Sequence, residues 1–279
     1  MSVASRCCLI VPATSERFLA KARRLEVDEV VIDLEDAVPP AEKRAARERA
    51  MAAVAYEWTA PAVSVRVNAL GTPWGNDDLA ACACAGDALR SVVLPKADAV
   101  AIRAADAALG GADLRLQALL ETPAGVLDAA ATARATRRLS ALIVGYADLG
   151  AALGRDPGDI GRWSAIQDLV LLAARANDVA AVDGPWMAVG DPSGLERSAA
   201  HAAAAGFDGK WAIHPMQVDL VQRSFSPSED AVRRARSVLD ALDAAARAGH
   251  GAVSLDGEMV DEAHREAALR VLARAGVAT

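Results

Sequence analysis

Short apolar runs recur along the chain, and nearly every one of them ends in an acid, a base or a histidine. The runs are rich in Val, Ile and Leu, which is typical of β-strands covered on both faces. Each is followed by an Ala-rich stretch with helical spacing. The predicted strands are Cys7–Val11, Glu29–Glu35, Val63–Asn68, Val92–Lys96, Leu116–Glu121, Leu142–Asp148, Ala180–Asp183 and Trp211–His214.

Alternation of strand and helix predicts parallel strands, and about eight such units predict a closed (β/α)8 TIM barrel. In such a barrel the carboxyl ends of the strands meet at one rim, where active sites lie. Simple solvation explains any one polar strand end taken alone, but not so regular a series. We therefore expect one mouth to contain Asp33, Glu35, Arg66, Lys96, Glu121, Asp148, Asp183 and His214.

The pattern changes after His214, in the last quarter of the chain. A helix-start signal occurs at Ser226, and a final helical pattern begins at Asp261. We therefore predict an α/β catalytic barrel over 1–225 and a helical lid or oligomerisation extension over 226–279.

Composition excludes several classes of protein. Apolar residues make up 53% of the chain and aromatic residues only 4%, so Ala, Val and Leu must build the core. The net charge is −7 and no basic run carries interleaved aromatics, which argues against nucleic-acid binding. We find neither a signal-peptide pattern nor an apolar stretch of membrane-spanning length, and we expect a cytoplasmic enzyme. The four cysteines lack metal-site spacing, and we expect them to be buried as small apolar residues.

Glu121 and Asp148 end consecutive predicted strands, which would place two carboxylates side by side on the rim. Such hard oxygen ligands suit Mg²⁺, with Mn²⁺ as a substitute. Each acid alternatively caps the helix that follows it.

Basic residues on the same rim allow two interpretations each. Arg66 suits a substrate carboxylate, or forms a salt bridge to an acid such as Glu35. Lys96 adds positive potential near a metal, or neutralises Asp33 or Glu35. His214, before a proline, either orients a strand end or takes part in the chemistry.

Eight further motifs follow one another in order along almost the whole chain: Val11–Phe18, Val31–Val38, Val65–Asn68, Thr72–Gly75, Leu94–Lys96, Glu121–Gly125, Gly206–Pro215 and Phe225–Glu229. Together they closely resemble the citrate lyase beta subunit-like proteins of the HpcH/HpaI aldolase family, which also contains malyl-CoA and citramalyl-CoA lyases. The resemblance is specific for the family rather than for a substrate.

The resemblance implies roles for particular residues. It implies a Mg²⁺ site at Glu121 and Asp148, and Arg66 as the group that holds a keto-acid carboxylate. It implies that Asp261 is an acid supplied by a neighbouring subunit, within a homotrimer or a dimer of trimers. We assign Arg66, Asp261, Glu35 and Lys96 to catalysis, and Arg66, Arg17, Pro12 and His214 to substrate binding.

The expected activity is a Mg²⁺-dependent carbon–carbon lyase acting on a 3-hydroxyacyl-CoA thioester such as citryl-, malyl- or citramalyl-CoA. The expected products are acetyl-CoA, or a related acyl-CoA, and a 2-oxo acid. One alternative is a malate-synthase-like enzyme or thioester hydrolase on the same site, which would release free CoA. Another is a citrate lyase beta subunit that is active only in a larger complex, which would co-purify with an acyl-carrier partner.

Overall fold

The computed structural model describes residues 5–276 of the 279-residue chain. Eight parallel strands form a closed barrel in which each strand pairs with the next and the eighth returns to the first. The predicted (β/α)8 barrel is confirmed. The strands are β1 (Cys7–Pro12), β2 (Glu29–Asp33), β3 (Ala62–Arg66), β4 (Ser91–Leu94), β5 (Arg115–Leu120), β6 (Leu139–Val144), β7 (Ala180–Asp183) and β8 (Gly209–Ala212).

Helices follow the strands, and several begin where a side-chain oxygen accepts a backbone N–H, as at Ser15, Asp98, Thr122 and Asp191. No helix within residues 5–276 is long and apolar enough to cross a membrane. The helices are α1 (Glu16–Ala22), α2 (Lys43–Val54), α3 (Gly75–Ala83), α4 (Ala99–Leu109), α5 (Pro123–Leu127), α6 (Ala129–Ala133), α7 (Tyr146–Leu153), α8 (Ser164–Arg175), α9 (Pro192–Ala205) and α10 (Pro215–Phe225).

Several strands end earlier than the apolar runs predict. The chain leaves the sheet after Asp33, where the Asp33 carboxylate accepts the backbone N–H of Glu35 at 2.9 Å. Lys96 follows β4 by two residues and has a left-handed backbone, with φ at 49°. Asp148 lies in the first turn of α7 instead of on β6. These charged side chains are therefore placed by loops and by a helix start, just beyond the ladder of strand hydrogen bonds.

The barrel interior is filled by small and branched side chains together with one large ring, that of Trp211 on β8. Seven of the eight strands contribute to this apolar cluster, which contains Cys8, Val31, Val93, Leu119, Ala141, Ile143, Val182 and Trp211. The chain compensates for its few aromatic residues by using Ala and Val at many buried positions.

A polar layer lies at the amino ends of the strands. Glu29 is 4% exposed and its carboxylate accepts hydrogen bonds from Ser64 Oγ at 2.5 Å, Gln117 Nε2 at 2.7 Å and Ser5 Oγ at 2.8 Å. Since neutral donors surround this buried acid, its hydrogen-bonding capacity is satisfied without a bound cation.

Residues 5–224 form one compact unit, and a second unit begins at Phe225. The second unit contains α11 (Glu229–Arg247), the antiparallel hairpin β9 (Ala252–Leu255) and β10 (Glu258–Asp261), and α12 (Glu262–Arg274). Its own apolar core includes Val238, Leu242 and Leu272. Residues 1–4 of the predicted barrel domain and residues 277–279 of the predicted extension lie outside the described residues.

The seam between β8 and β1 depends on the absence of a side chain at Gly209. A Cβ atom there would lie 2.0 Å from the carbonyl oxygen of Ser5 and 2.9 Å from that of Arg6. We expect Gly209→Ala to lower the free energy of unfolding by about 1–3 kcal/mol or more, as overpacking against rigid backbone does. Urea denaturation measures this change.

Gly71 provides the matched control, because a Cβ atom at Gly71 would meet no heavy atom within 4 Å. Gly71→Ala should change the free energy of unfolding by no more than about 0.5 kcal/mol. Equal stabilities of the two variants would contradict the tight seam.

Candidate active site

Arg66 and Asp33 form a bidentate ion pair at the carboxyl rim. They are the last residues of β3 and β2, and they face each other in the sheet register. Arg66 donates from Nε to Asp33 Oδ1 at 2.7 Å and from Nη2 to Oδ2 at 2.8 Å. Two parallel bonds to a planar guanidinium fix its orientation as well as its position.

The other end of the Arg66 guanidinium faces two further acids. Nη1 lies 2.9 Å from Glu35 Oε2 and 3.3 Å from Asp36 Oδ2, and Cζ lies 5.9 Å from the centre of the Trp211 ring. The salt-bridge interpretation of Arg66 is therefore correct as a description of its contacts, with Asp33 as its main partner. The Arg66 side chain is only 10% exposed, whereas the Asp36 side chain beside Nη1 is 61% exposed.

Lys96 lies at the centre of the acidic residues. Its ammonium nitrogen is 2.9 Å from Glu35 Oε1, 3.0 Å from Asp148 Oδ2 and 3.5 Å from Glu121 Oε1. Burial acts to lower the pKa of Lys96, but hydrogen bonds and charge from these carboxylates outweigh it, so the pKa is raised. Lys96 therefore stays cationic and joins acids from three separate loops.

Glu121 follows β5 directly, and its side chain is only 5% exposed. Its Oε1 accepts the backbone N–H of Lys96 at 2.8 Å. Burial raises the pKa of Glu121 to about 7; the charge of Glu35 adds to this shift and Lys96 opposes it. A Cβ atom at Gly145 would lie 2.4 Å from Glu121 Cβ, so the loop after β6 packs directly against this acid.

Neither Glu121 nor Asp148 acts as a helix cap. Thr122 caps α5 with its side-chain oxygen, and the N-cap position of α7 is Gly145. Asp148 instead contacts the ammonium of Lys96, as Glu121 does. Both carboxylates thus lie beside a single cationic atom, and the capping alternative is wrong for these two residues.

The residues present fit a divalent cation. Among the described residues, five carboxylates form ion pairs with two cationic side chains, Arg66 and Lys96. Lys43 lies close enough to three of these acids to interact with them through its charge. The acids therefore outnumber the basic side chains around them. Glu35 Oε2 is buried and makes no hydrogen bond of acceptable geometry, despite its closeness to Arg66. Burial raises the pKa of Glu35 too, although Arg66 and Lys96 oppose this. The carboxylates are Asp33, Glu35, Asp36, Glu121 and Asp148.

Within residues 5–276, no three His, Cys, Asp or Glu side chains form a cluster arranged to hold a metal ion. This agrees with a pair of ligands, because Mg²⁺ commonly takes one or two protein carboxylates and fills its other positions with water and substrate oxygens. Glu121 and Asp148 are the pair that would hold the ion.

The remaining residues assigned to substrate binding lie at three different places in the barrel. Pro12 ends β1 opposite Asp33, and is therefore beside the Arg66 ion pair. Arg17 is exposed in the first turn of α1, and within the described residues it makes no ion pair with the acids of the rim. His214 is half-buried, and its Nδ1 accepts the backbone N–H of Met216 at 3.2 Å at the start of α10.

Asp261 belongs to the second compact unit. It is the N-cap of α12, where its carboxylate accepts the N–H of Ala263 at 3.1 Å and lies 2.8 Å from His264 Nδ1. The hydrogen bond with His264 is the main cause that lowers the pKa of Asp261. Its catalytic role stays a prediction.

Asp183, expected in the mouth, lies in a buried layer instead. It is 1% exposed and bonds Lys210 Nζ at 2.5 Å and the hydroxyl of Tyr146. Sequence reasoning missed Tyr146 and Lys210, because each stands in a mostly apolar segment where an isolated polar residue gives no signal. It also gave no role to Asp36, which contacts Arg66.

Comparison with known proteins shows the family to which this chain is similar. The model of the HpcH/HpaI aldolase/citrate lyase family matches residues 6–215. An L-malyl-CoA/beta-methylmalyl-CoA lyase of Cereibacter sphaeroides is 33% identical, with 92% of this chain and 90% of the relative covered. A (3S)-malyl-CoA thioesterase of the same species is 38% identical, with 97% and 94% covered.

Among solved structures, the CitE protein of Mycobacterium tuberculosis, in complex with magnesium, acetoacetate and coenzyme A, has a TM-score of 0.77 and 34% sequence identity. The match covers 99% of this chain and all of that one. The predicted family is thus confirmed, and this chain belongs to the HpcH/HpaI aldolase/citrate lyase family.

Proposed function

We propose that this protein is a Mg²⁺-dependent carbon–carbon lyase that cleaves a 3-hydroxyacyl-CoA thioester of the malyl-, citramalyl- or citryl-CoA type. The products are acetyl-CoA, or a related acyl-CoA, and a 2-oxo acid. The observation that carries the proposal is the convergence of Glu121 and Asp148 on one cationic position beside Arg66. The malyl-CoA lyase and the magnesium- and CoA-bound CitE structure support the same activity.

The side chains of the rim have different roles in the proposed reaction. Glu121 and Asp148 would hold Mg²⁺, which would supply a Lewis acid for oxygen atoms that gain negative charge during cleavage. Arg66 binds the substrate carboxylate through the Nη1 end of its guanidinium, while Asp33 keeps that guanidinium aligned. Lys96 balances the negative charge of Glu35 and holds it beside Arg66.

Cleavage transfers one proton from the hydroxyl oxygen to the α-carbon of the thioester. As the bond between the two carbons breaks, the hydroxyl carbon becomes the ketone of the 2-oxo acid and the bonding electrons remain on the thioester fragment. Asp261 is first protonated at the expense of the hydroxyl group and then delivers this proton to that carbon; it removes a proton from the same carbon in the synthetic direction. We further propose, from the sequence resemblance alone, that Asp261 comes from a neighbouring subunit of a cytoplasmic trimer or dimer of trimers.

Thioester hydrolysis is a second candidate, because the thioesterase relatives match over 97% of this chain at 38% identity. The test is to incubate the protein with each of the three CoA thioesters and Mg²⁺, and to measure both the 2-oxo acid and the free CoA thiol. A lyase produces the 2-oxo acid without free thiol. Free thiol without a 2-oxo acid would establish hydrolysis, and the absence of both products with all three substrates would overturn the proposal.

The first prediction concerns the metal ligands. Glu121→Gln and Asp148→Asn should each weaken Mn²⁺ binding on the order of tenfold or more while the fold survives, because each removes one charged oxygen ligand. Titration with Mn²⁺ followed by electron paramagnetic resonance measures the affinity. Unchanged affinity in both variants would exclude them as ligands.

The same titration has a predicted pH dependence. Since the pKa of Glu121 is about 7 without metal, protons compete with the ion for this carboxylate as the pH falls through that value. Mn²⁺ affinity of the wild type should therefore fall below about pH 7. Glu121→Gln has no ionisable group at this position, so its Mn²⁺ affinity should not show this fall.

Arg66→Lys should not be a conservative change. Lysine keeps the charge but loses the two parallel bonds to Asp33 and the Nη1 group proposed to bind the substrate carboxylate, so kcat/KM should drop on the order of tenfold or more. Steady-state kinetics with the preferred thioester measure the drop. Wild-type kinetics would limit Arg66 to its structural ion pair.

The last prediction tests whether Asp261 acts across subunits. Arg66→Ala and Asp261→Asn oligomers should each be nearly inactive, and activity should return when the two are unfolded and reassembled together. About one quarter of the sites should recover in an equal random mixture, because each complete site needs one intact barrel and one intact tail from different chains. No recovery in verified mixed oligomers would exclude action in trans.

A further inference from the structure

A buried polar network lies beside the first turn of α7, which carries Asp148. Tyr146 donates its hydroxyl hydrogen to Asp183 Oδ1, and the same hydroxyl accepts Gln167 Nε2 at 2.7 Å. Lys210 Nζ bonds Asp183 Oδ2 at 2.5 Å, the carbonyl of Gly184 at 2.7 Å and Ser198 Oγ at 2.9 Å. The network therefore joins the start of α7 to β7, β8, α8 and α9.

Each member of the network is withdrawn from water. Lys210 is 0% exposed, Asp183 1%, Gln167 3% and Tyr146 6%. In such surroundings a lost hydrogen bond is not replaced by solvent, so each bond constrains its partners strongly. The Tyr146 ring also packs on Trp163, with 5.1 Å between the ring centres.

The backbone at the start of α7 is tightly packed against neighbouring segments on two sides. On one side, a Cβ atom at Gly145 would lie 2.4 Å from Glu121 Cβ. On the other side, a Cβ atom at Gly184 would lie 2.7 Å from Cδ2 of the Tyr146 ring and 2.3 Å from the carbonyl oxygen of Val144. The loop between β6 and α7 is thus held between one proposed metal ligand and the end of β7.

Tyr146 and Asp148 project from different sides of the first turn of α7, because residues i and i+2 of a helix do not face each other. Tyr146 points to the buried network, while Asp148 reaches the ammonium of Lys96. Because both residues belong to the same helical turn, a shift of Tyr146 also moves the Asp148 carboxylate.

We propose that Tyr146 is a positioning residue for the metal site: its hydroxyl, held between Asp183 and Gln167, fixes the start of α7 and with it the separation of the Glu121 and Asp148 carboxylates. The inference rests on the proposed function, since it assumes that these two acids bind the ion. It extends the site by a buried layer that touches neither metal nor substrate.

Tyr146→Phe is the direct test, because it removes one hydroxyl oxygen and keeps the ring against Trp163. The fold should survive, since Gln167 Nε2 already lies 3.5 Å from Asp183 Oδ1 and can turn its hydrogen bond to it. The probe is Mn²⁺ alone, titrated at a fixed pH above 7 and followed by electron paramagnetic resonance. The dissociation constant should rise on the order of tenfold, as it does when groups that orient metal ligands are removed.

Ser64→Ala is the matched control. It also removes one hydroxyl from a buried carboxylate, that of Glu29, but at the amino ends of the strands. Ser64→Ala should lower the thermal midpoint while leaving Mn²⁺ binding unchanged. If Ser64→Ala weakens Mn²⁺ binding as much as Tyr146→Phe does, the effect is general loosening of the barrel and the inference is overturned.

Gln167→Met provides a second approach from α8, because it removes the amide that orients the tyrosine hydroxyl without changing the loop itself. It should weaken Mn²⁺ binding in the same direction but less, and it decides the question if Tyr146→Phe cannot be purified folded. Wild-type affinity in both variants would overturn the inference.

The failure of the proposed function gives a different pattern. If the wild type binds no Mn²⁺, the metal assignment fails and the inference falls with it. If the wild type binds Mn²⁺ and Tyr146→Phe weakens binding, yet no thioester is cleaved, the positioning role stands and only the reaction is wrong. In a working lyase, excess Mn²⁺ should restore most of the kcat lost in Tyr146→Phe.

Discussion

The bidentate ion pair between Arg66 and Asp33 is the interaction on which the arrangement of the rim depends. It joins the last residues of two neighbouring strands, so its geometry is set by the sheet register rather than by a flexible loop. Glu35 then lies within reach of the same guanidinium, and Lys96 follows because Glu35 holds its ammonium. Through Lys96 the order extends to the two proposed metal ligands.

Several ionised carboxylates at this rim repel one another in the metal-free protein, which raises the free energy of the folded state. Burial and neighbouring acids keep the pKa of Glu121 near neutrality, so the ionised form is poorly tolerated without a further cation. A divalent ion would relieve this repulsion and, in doing so, would create the positive field that a carboxylate-bearing substrate requires. The burial that disfavours the ionised form of Glu121 is thus the same property that would favour binding of a divalent ion.

Buried acids have different partners at the two ends of the barrel. At the amino ends, Glu29 is satisfied by neutral hydroxyl and amide donors, which makes a closed structural layer. At the carboxyl ends, the acids form ion pairs with Arg66 and Lys96, and side-chain exposure ranges from 1% for Asp33 to 39% for Asp148 and 61% for Asp36. The rim is thus exposed at Asp36 and Asp148, whereas the bonds of Tyr146 and Lys210 to Asp183 are buried.

The barrel, the family and most of the charged residues near the carboxyl ends could be predicted from the sequence, because hydrophobic period and strand-ending residues are local properties of the chain. Which charges meet depends on the folded chain: Arg66 takes Asp33 as its main partner, and Asp183 forms a buried bond to Lys210 outside the mouth. These choices could not be read from sequence. They depend on strand register, on the left-handed turn at Lys96 and on where each strand stops, and all three are set by packing between segments far apart in the chain.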